Sequence, residues 1–355
     1  MTKILFILKR RDDYNPEKHN PKGLSTGLYN SAMFMVDMLL NSGVDTHIEV
    51  AVDNNCIDRL VTKHRPTHVI IEALWVVPEK FYVLSKLHPT VQWIVRLHSE
   101  TPFIAGEGIA MDWIGDYLDL SKVVIAVNAP RIFTELKTFA KSKRYWYESD
   151  LNKKIIYLPN FYPNNYKIKK HQLDKYWVDV ACFGAVRPLK NHLLQAHAAL
   201  KFAKSVGKQL RFHINGGRIE GKGDAVMSNL RAMFEHLSDS QHQLIIHEWA
   251  PREEFLEICA SMDIGLQCSL SETFNIVSAD LISQGVPVVG SKEIPWACRL
   301  FNADPTDSGS IAKMMRRAHD YPKFNVYRNQ HNLDKYTSVT KSLWLKYFKD
   351  SDNEG

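Results

Sequence analysis

Short apolar runs alternate along this chain with segments whose apolar residues recur every three or four positions. "KILFIL" (3–8) predicts a strand; a polar stretch then runs to Gly27, and "LYNSAMFMVDMLLNSG" (28–43) predicts an amphipathic helix stopped by Gly43. "THIEVAV", "THVIIEAL", "VQWIVRLH", "KVVIAVN" and "KIIYLPN" predict further strands. Strands separated by helix-period segments, with no tight hairpin signal between them, imply a parallel, doubly wound sheet. From Val178 the style repeats through "VDVACFGA", a helix from about His192 to Val206, "QLRFHINGG", "HQLIIHEWA", a helix near Glu253–Met262, "DIGLQCS" and "VPVVGS". The expected fold class is therefore α/β, with two Rossmann-like, doubly wound parallel-sheet domains facing a cleft.

The polar, Asn-rich stretch "YPNNYKIKKHQLDKYW" (162–177) is the predicted linker, which sets the expected domains at 1–168 and 169–330. The tail "DKYTSVTKSLWLKYFKD" (334–350) has helical period, with Val339, Leu343 and Phe348 apolar, so residues 331–355 are expected to form a helix packing back on the first domain.

Composition narrows the class. A length of 355 residues exceeds one ordinary core, and 45% hydrophobic with 24% charged residues excludes a disordered chain. No run of about 18 apolar residues predicts a membrane span. The start "MTKILFILKRRDDYN" has only five consecutive apolar residues, too short for a secretory signal. Cys56, Cys182, Cys259, Cys268 and Cys298 are scattered without a CxxC pair, as reduced core residues of a cytoplasmic protein would be, and no metal site is expected from them.

The net charge of +6 is concentrated: residues 137–177 hold ten Lys or Arg against three Asp or Glu. Within it, Lys141, Lys143, Arg144 and Trp146 interleave cations and rings, a pattern that suits nucleic acid, with cations for phosphates and rings for bases. The plainer alternative is a solvated helix with a few aromatics tucked into the core.

The segment "SLSETFNIVSADLISQGVPVVGS" (269–291) is mostly apolar yet carries Glu272 and Asp280. Thr273 or Ser271 is the expected cap of a helix running to about Gln284, with Gly285 as its stop. Apolar residues on nearly every face make that helix buried, so Asp280 needs donors. Glu272 precedes the helix, whose first backbone N–H groups form a ready anion site. A buried carboxylate seeking hydroxyls beside a helix start seeking phosphate suits a nucleotide sugar. Alternatively, Asp280 meets a neighbouring Arg and Glu272 merely favours the helix dipole.

The same segment resembles the donor-binding signature of retaining glycosyltransferases of the GT-B fold, family 4: a Glu, seven residues, a second acidic residue, and then G-x-P-V-V. "CFGAVRPLKNHLLQAHAAL" is similar to that family's strand, loop and helix, and "LRFHINGG" and "IIHEWAPREEFLEICASMDIGLQCS" resemble the runs between. "KGLSTGLYNSAMFMVDMLLNSG" looks like its Gly-rich loop, and "IVRLHSE", "VIAVNAP" and "IIYLPNF" like its later strand ends. The resemblance implies a metal-independent transferase moving a sugar, by default from a UDP-sugar, to an acceptor hydroxyl. No cofactor beyond that nucleotide-sugar co-substrate is implied.

By the same resemblance, Arg187 and Lys190 would neutralise the diphosphate, with Gly184 in the loop before them. Glu272 would meet sugar hydroxyls, the amides of Thr273, Phe274 and Asn275 would approach sugar or phosphate, and Asp280, where the family usually has Glu, would accept from ribose. Gly27, with Gly23, would let backbone approach the phosphates, and His98 would lie on the acceptor side. Plainer readings stand beside these: Lys190 as a solvated helix-start lysine, Gly27 as a helix start, His98 as a satisfied strand-end histidine. The expected acceptor is a glycan or other small molecule. The alternatives are DNA with hydroxymethylated bases, as for phage enzymes of this fold, and, in another class, a non-catalytic nucleotide-sugar binding module.

Overall fold

The computed structural model describes residues 2–9, 27–166, 174–237 and 241–354; Gly23 and much of the predicted linker lie outside them. The chain divides into two compact units, one taking the chain up to Pro163 and again from Thr337, the other Asn164–Tyr336. Among the described residues there are eleven strands.

The first unit runs β1 (Lys3–Lys9), α1 (Gly27–Leu40), β2 (Asp45–Ala51), α2 (Cys56–His64), β3 (His68–Glu72), α3 (Pro78–Leu87) and β4 (Gln92–Leu97). It continues through α4 (Thr101–Ile104), α5 (Ala110–Asp119), β5 (Val123–Val127), α6 (Pro130–Lys143), α7 (Glu148–Lys154) and β6 (Ile155–Tyr157). Its six strands are parallel, in the order β2-β1-β3-β4-β5-β6. Every residue of β3 and β5 is buried, which is why these strands read as continuous Val/Ile runs and not as alternating ones. The two-residue period separates the faces: Leu5, Ile7, Val69, Trp93 and Val95 enter one core, Ile4, Phe6, Ile70 and Ile94 the other.

The second unit runs β7 (Trp177–Ala181), α8 (His192–Val206), β8 (Gln209–Asn215), α9 (Gly223–Glu235), β9 (Gln243–His247) and α10 (Arg252–Ala260). Then come β10 (Ile264–Gln267), α11 (Ile276–Ser283), β11 (Val288–Gly290), α12 (Ser308–Asp320) and α13 (Pro322–Glu354). Its sheet is also parallel, in the order β11-β10-β7-β8-β9. Strand order reverses between β1 and β3 in the first sheet and between β7 and β10 in the second. Open α/β sheets take their ligands at the carboxyl ends of strands at such a reversal.

The 33-residue α13 begins in the second unit and ends in the first. Buried Asn325 bonds both the N–H and the C=O of Val288 at 2.9 Å, and Asn329 accepts from the Cys298 N–H at 2.8 Å. In the first unit, Trp344 stacks on Phe6 at 6.0 Å and donates to the Pro159 carbonyl at 2.9 Å. The buried stripe of this tail is Thr337, Thr340, Trp344 and Phe348. Val339, expected on the apolar face, is 52% exposed, because the large Trp344 ring sets the helix rotation and turns Val339 outward.

Candidate functional site

The β7–α8 and β10–α11 loops leave the second sheet at its point of reversal. Beyond β7 the backbone turns at Gly184, with φ +115°, a region that favours glycine. A Cβ at Gly184 would lie 3.8 Å from Lys190 Cε, so the lysine stem passes directly over this turn. The Gly184 N–H donates to Asn215 Oδ1 at 2.9 Å. A short 3-10 turn, Pro188–Lys190, then leads through Asn191, which is left-handed at φ 60°, into α8.

Hydrogen bonds stitch the two loops together. The Leu270 N–H donates to the Leu189 carbonyl at 2.9 Å, and Asn191 Nδ2 to the Cys268 carbonyl at 3.2 Å. Gln195 donates to the Lys190 carbonyl and accepts from the Cys268 N–H, both at 2.7 Å. This lacing sets Lys190 Nζ 2.5 Å from Glu272 Oε1, with the side chains only 11% and 7% exposed.

Helix α11 starts two to four residues later than the sequence suggests. Its cap is Asn275, not Ser271 or Thr273; the Asn275 side chain accepts from the Ser278 N–H at 2.8 Å. Asn275 also donates to Gln267, which donates to the Phe183 carbonyl, each at 3.0 Å, tying the helix start to both loops. Asn275 wins because it caps and anchors β10 at once, while its left-handed backbone (φ 60°) suits Asn. Phe274 turns its ring into the core between Trp296 and Tyr336, and its carbonyl accepts from Trp296 Nε1 at 2.8 Å, so only its backbone faces the loop. Thr273 is partly exposed beside Glu272.

The structure thus brings Gly184, Lys190, Glu272 and Asn275 together. Arg187 is close by: its charge and that of Lys190 bear on His192, whose pKa falls to about 3, mainly through burial. The Arg187 guanidinium lies 3.4 Å from Glu220 Oε2, and Glu220 also binds Arg218. Gly223 permits this arrangement, since a Cβ there would stand 2.0 Å from the Val186 carbonyl oxygen. Asp280 is nearly fully buried, and Arg252 Nη2 donates to its Oδ1 at 2.7 Å, supplying the donor its burial demands.

His98 and Gly27 belong to the first unit. Gly27 is the first residue of α1. His98 follows β4 and joins a polar cluster at the strand ends. Its Nε2 bonds Glu72 Oε2, and its Nδ1 lies 3.3 Å from Asn128 Nδ2. Fully buried Arg96 donates to both Glu72 oxygens at 3.2 Å, to Asn160 Oδ1 at 2.5 Å and to the Leu158 carbonyl at 3.1 Å. Burial drives the Glu72 pKa up, but Arg96 and His98 more than reverse this and hold it below the usual carboxylate value. Burial pushes the His98 pKa down.

Sequence reasoning missed Glu72, Arg96, Asn128, Asn160, Glu220 and Arg252. A signal existed for the first two, since a charge inside an apolar strand run is costly unless partnered. They are register partners on adjacent strands.

Four cations of the basic segment share two carboxylates, Glu148 and Asp119, so part of its charge is countered. Lys141 pairs with Glu148 at 2.8 Å, Lys143 with Asp119 at 2.6 Å, and Arg144 with Asp119 at 3.3 Å while covering the Trp146 ring at 4.2 Å. Trp146 itself packs against the core. With these counter-charges in place the cation-and-ring pattern does not favour the nucleic-acid alternative. Among the described residues, no group of three His, Cys, Asp or Glu side chains could hold a metal ion, and no helix is long and apolar enough to cross a membrane.

Two doubly wound parallel sheets of this order in one chain are the GT-B fold. The chain is similar to the sucrose-phosphate synthase of Thermosynechococcus elongatus, with 11% identity, TM-score 0.68, and 99% and 100% of the two chains covered. It is similar to Anabaena HepE, solved with UDP and glucose, at 13% identity, TM-score 0.65 and coverage of 99% and 100%. A third likeness is to the N-terminal domain of Candida albicans trehalose-6-phosphate phosphatase, at 11% identity, TM-score 0.68 and coverage of 98% and 97%. No protein-family model matches the sequence, and no similar curated protein is found.

Proposed function

We propose that this protein is a retaining glycosyltransferase that moves a sugar from a nucleotide diphosphate sugar, by default a UDP-sugar, to a hydroxyl of a glycan or other small acceptor. The observation that carries this is the Lys190–Glu272 pair, 2.5 Å apart on the two loops that leave the second sheet where its strand order reverses. One cation and one carboxylate at a strand-end crevice suit a ligand with both diphosphate and sugar hydroxyls. HepE, of the same fold, binds UDP and glucose.

In this reading the second unit is the donor domain and the first the acceptor-side domain. Lys190 and Arg187 take up charge developing on the leaving diphosphate, work that needs fixed cations and no metal. Glu272 accepts from sugar hydroxyls, and the Thr273, Phe274 and Asn275 amides approach the sugar or phosphate. Asp280, oriented by Arg252, accepts from ribose. Gly27 lets backbone approach the phosphates, and His98 lies on the acceptor side. Five free cysteines, four of them buried, go with a cytoplasmic location.

Thermal melting against a panel of nucleosides, nucleoside diphosphates and nucleotide sugars tests the binding half of this. Nucleoside diphosphates and at least one nucleotide sugar should raise the melting temperature, and bare nucleosides should not. A panel that leaves the melting temperature unmoved would overturn the proposal.

A further inference from the structure

The polar cluster at the carboxyl edge of the first sheet has a direction, and Arg96 sets it. A guanidinium only donates. Arg96 Nη2 donates to Asn160 at 2.5 Å, so the atom it meets there is the amide oxygen. Asn128 lies 3.3 Å from that same oxygen and must present its amide nitrogen to it. The other hydrogen of Asn128 Nδ2 reaches His98 Nδ1 at 3.3 Å, and a ring nitrogen facing an N–H carries its lone pair. His98 Nε2 faces Glu72 Oε2. An ionised carboxylate only accepts, so Nε2 carries the hydrogen. Arg96 Nη1 also stands 3.3 Å from Nε2, because both groups donate to the same Glu72 oxygen.

From this chain of donors and acceptors we propose that Glu72, Arg96, Asn128 and Asn160 lock His98 as the neutral Nε2–H tautomer. His98 is then a positioning residue that neither takes up nor gives a proton. The four partners come from four successive strand ends: Glu72 closes β3, Arg96 lies in β4, Asn128 follows β5 and Asn160 follows β6. Among the described residues, the ionisable groups that bond the ring are Glu72 and Arg96, which carry opposite charges. A second proton on His98 would need an Nδ1–H pointing at the Asn128 N–H. Turning the Asn128 amide over to accept it would set its oxygen against that of Asn160, which Arg96 holds in place. Burial lowers the His98 pKa, Glu72 opposes this and Arg96 reinforces it, in keeping with a neutral ring.

The tautomer follows from these hydrogen bonds together with the ionised Glu72 that Arg96 holds. Its consequence for catalysis rests on the transferase reading: deprotonation of the acceptor hydroxyl falls to a group other than His98.

The test is a long-range ¹H–¹⁵N correlation of the imidazole rings in ¹⁵N-histidine-labelled protein, with the His98 signals identified by their loss in His98→Gln. Across a pH range of about 6 to 8, where an ordinary histidine titrates, Nε2 should stay protonated and Nδ1 unprotonated. An Nδ1–H tautomer, an imidazolium, or a ring that titrates in this range would overturn the proposal. Asn128→Asp supplies the converse: an acceptor opposite Nδ1, as well as Glu72 opposite Nε2, should turn His98 into an imidazolium. If the ring stays a neutral Nε2–H tautomer in that variant, the lock is also refuted. These spectra need no donor or acceptor, so their outcome is separate from that of any nucleotide-sugar assay.

Discussion

Replacing Lys190 by alanine is expected to lower turnover of the nucleotide sugar by a factor of about 10²–10³, the usual range for losing one fixed group that meets developing negative charge. The loss should fall mainly on kcat, because the charge on the leaving diphosphate grows toward the transition state. The lysine is well placed for this. Its stem lies over Gly184, its carbonyl is held by Gln195, and its ammonium sits 2.5 Å from Glu272 with both side chains little exposed. Alanine also leaves the Glu272 carboxylate without this cation, so the single variant should melt lower than the parent. Adding Glu272→Gln removes the stranded charge. The double variant is expected to regain melting temperature and to stay inactive, which separates a chemical loss from a folding loss. Steady-state kinetics and thermal melts of the three proteins check this, and near-parent turnover in Lys190→Ala would refute the role given to the lysine.

Arg96→Met is expected to destabilise the protein by about 3–5 kcal/mol near neutral pH, the range for removing one partner of a buried ion pair. Arg96 and Glu72 are both fully buried, and the arginine also holds Asn160 and the Leu158 carbonyl while lying 5.1 Å from the Trp344 ring centre. The sign with pH follows from Glu72. In the parent its folded pKa is depressed, so its contribution to stability is present above the unfolded value and is lost as pH falls through the folded one. In Arg96→Met, burial dominates and raises the folded pKa, so the penalty builds as pH rises. The gap between parent and variant should therefore narrow as pH falls, first on the way down to the ordinary glutamate value of about 4, where the variant sheds its penalty, and further below it, where the parent loses its own contribution. Urea unfolding of both proteins at several pH values measures it, and a gap that widens toward acid would contradict the account. Arg96→Met with Glu72→Gln should recover much of the loss by removing the stranded charge.

The inner strands were legible in the sequence because runs such as β5 and β10 are short, apolar and buried on both faces, whereas the edge strands β2 and β9 are more polar and largely unburied. Contacts between distant segments were less legible. Glu72 and Arg96 lie 24 positions apart, and only the parallel β3–β4 register makes them partners. Arg187 meets Glu220 across 33 positions and Arg252 meets Asp280 across 28, pairings set by which loops and helices the strand order brings together. Local composition misled where a partner lay elsewhere. The basic segment counted Lys143 and Arg144 as surplus charge, yet Asp119, outside that segment, binds both. At the signature helix, Ser271 and Thr273 had the right chemistry for a cap, and Asn275 took the position through its second bond to Gln267.

The central claim is sugar transfer from a nucleotide diphosphate donor. Its most direct measurement is nucleoside diphosphate release from a panel of nucleotide sugars, with and without candidate acceptors, with the products identified by mass spectrometry. The account predicts release from at least one donor that is accelerated by an acceptor, yields a glycosylated product and is lost in Lys190→Ala. Binding of nucleotide sugars with no release under any condition, or sugar interconversion without transfer, would contradict it.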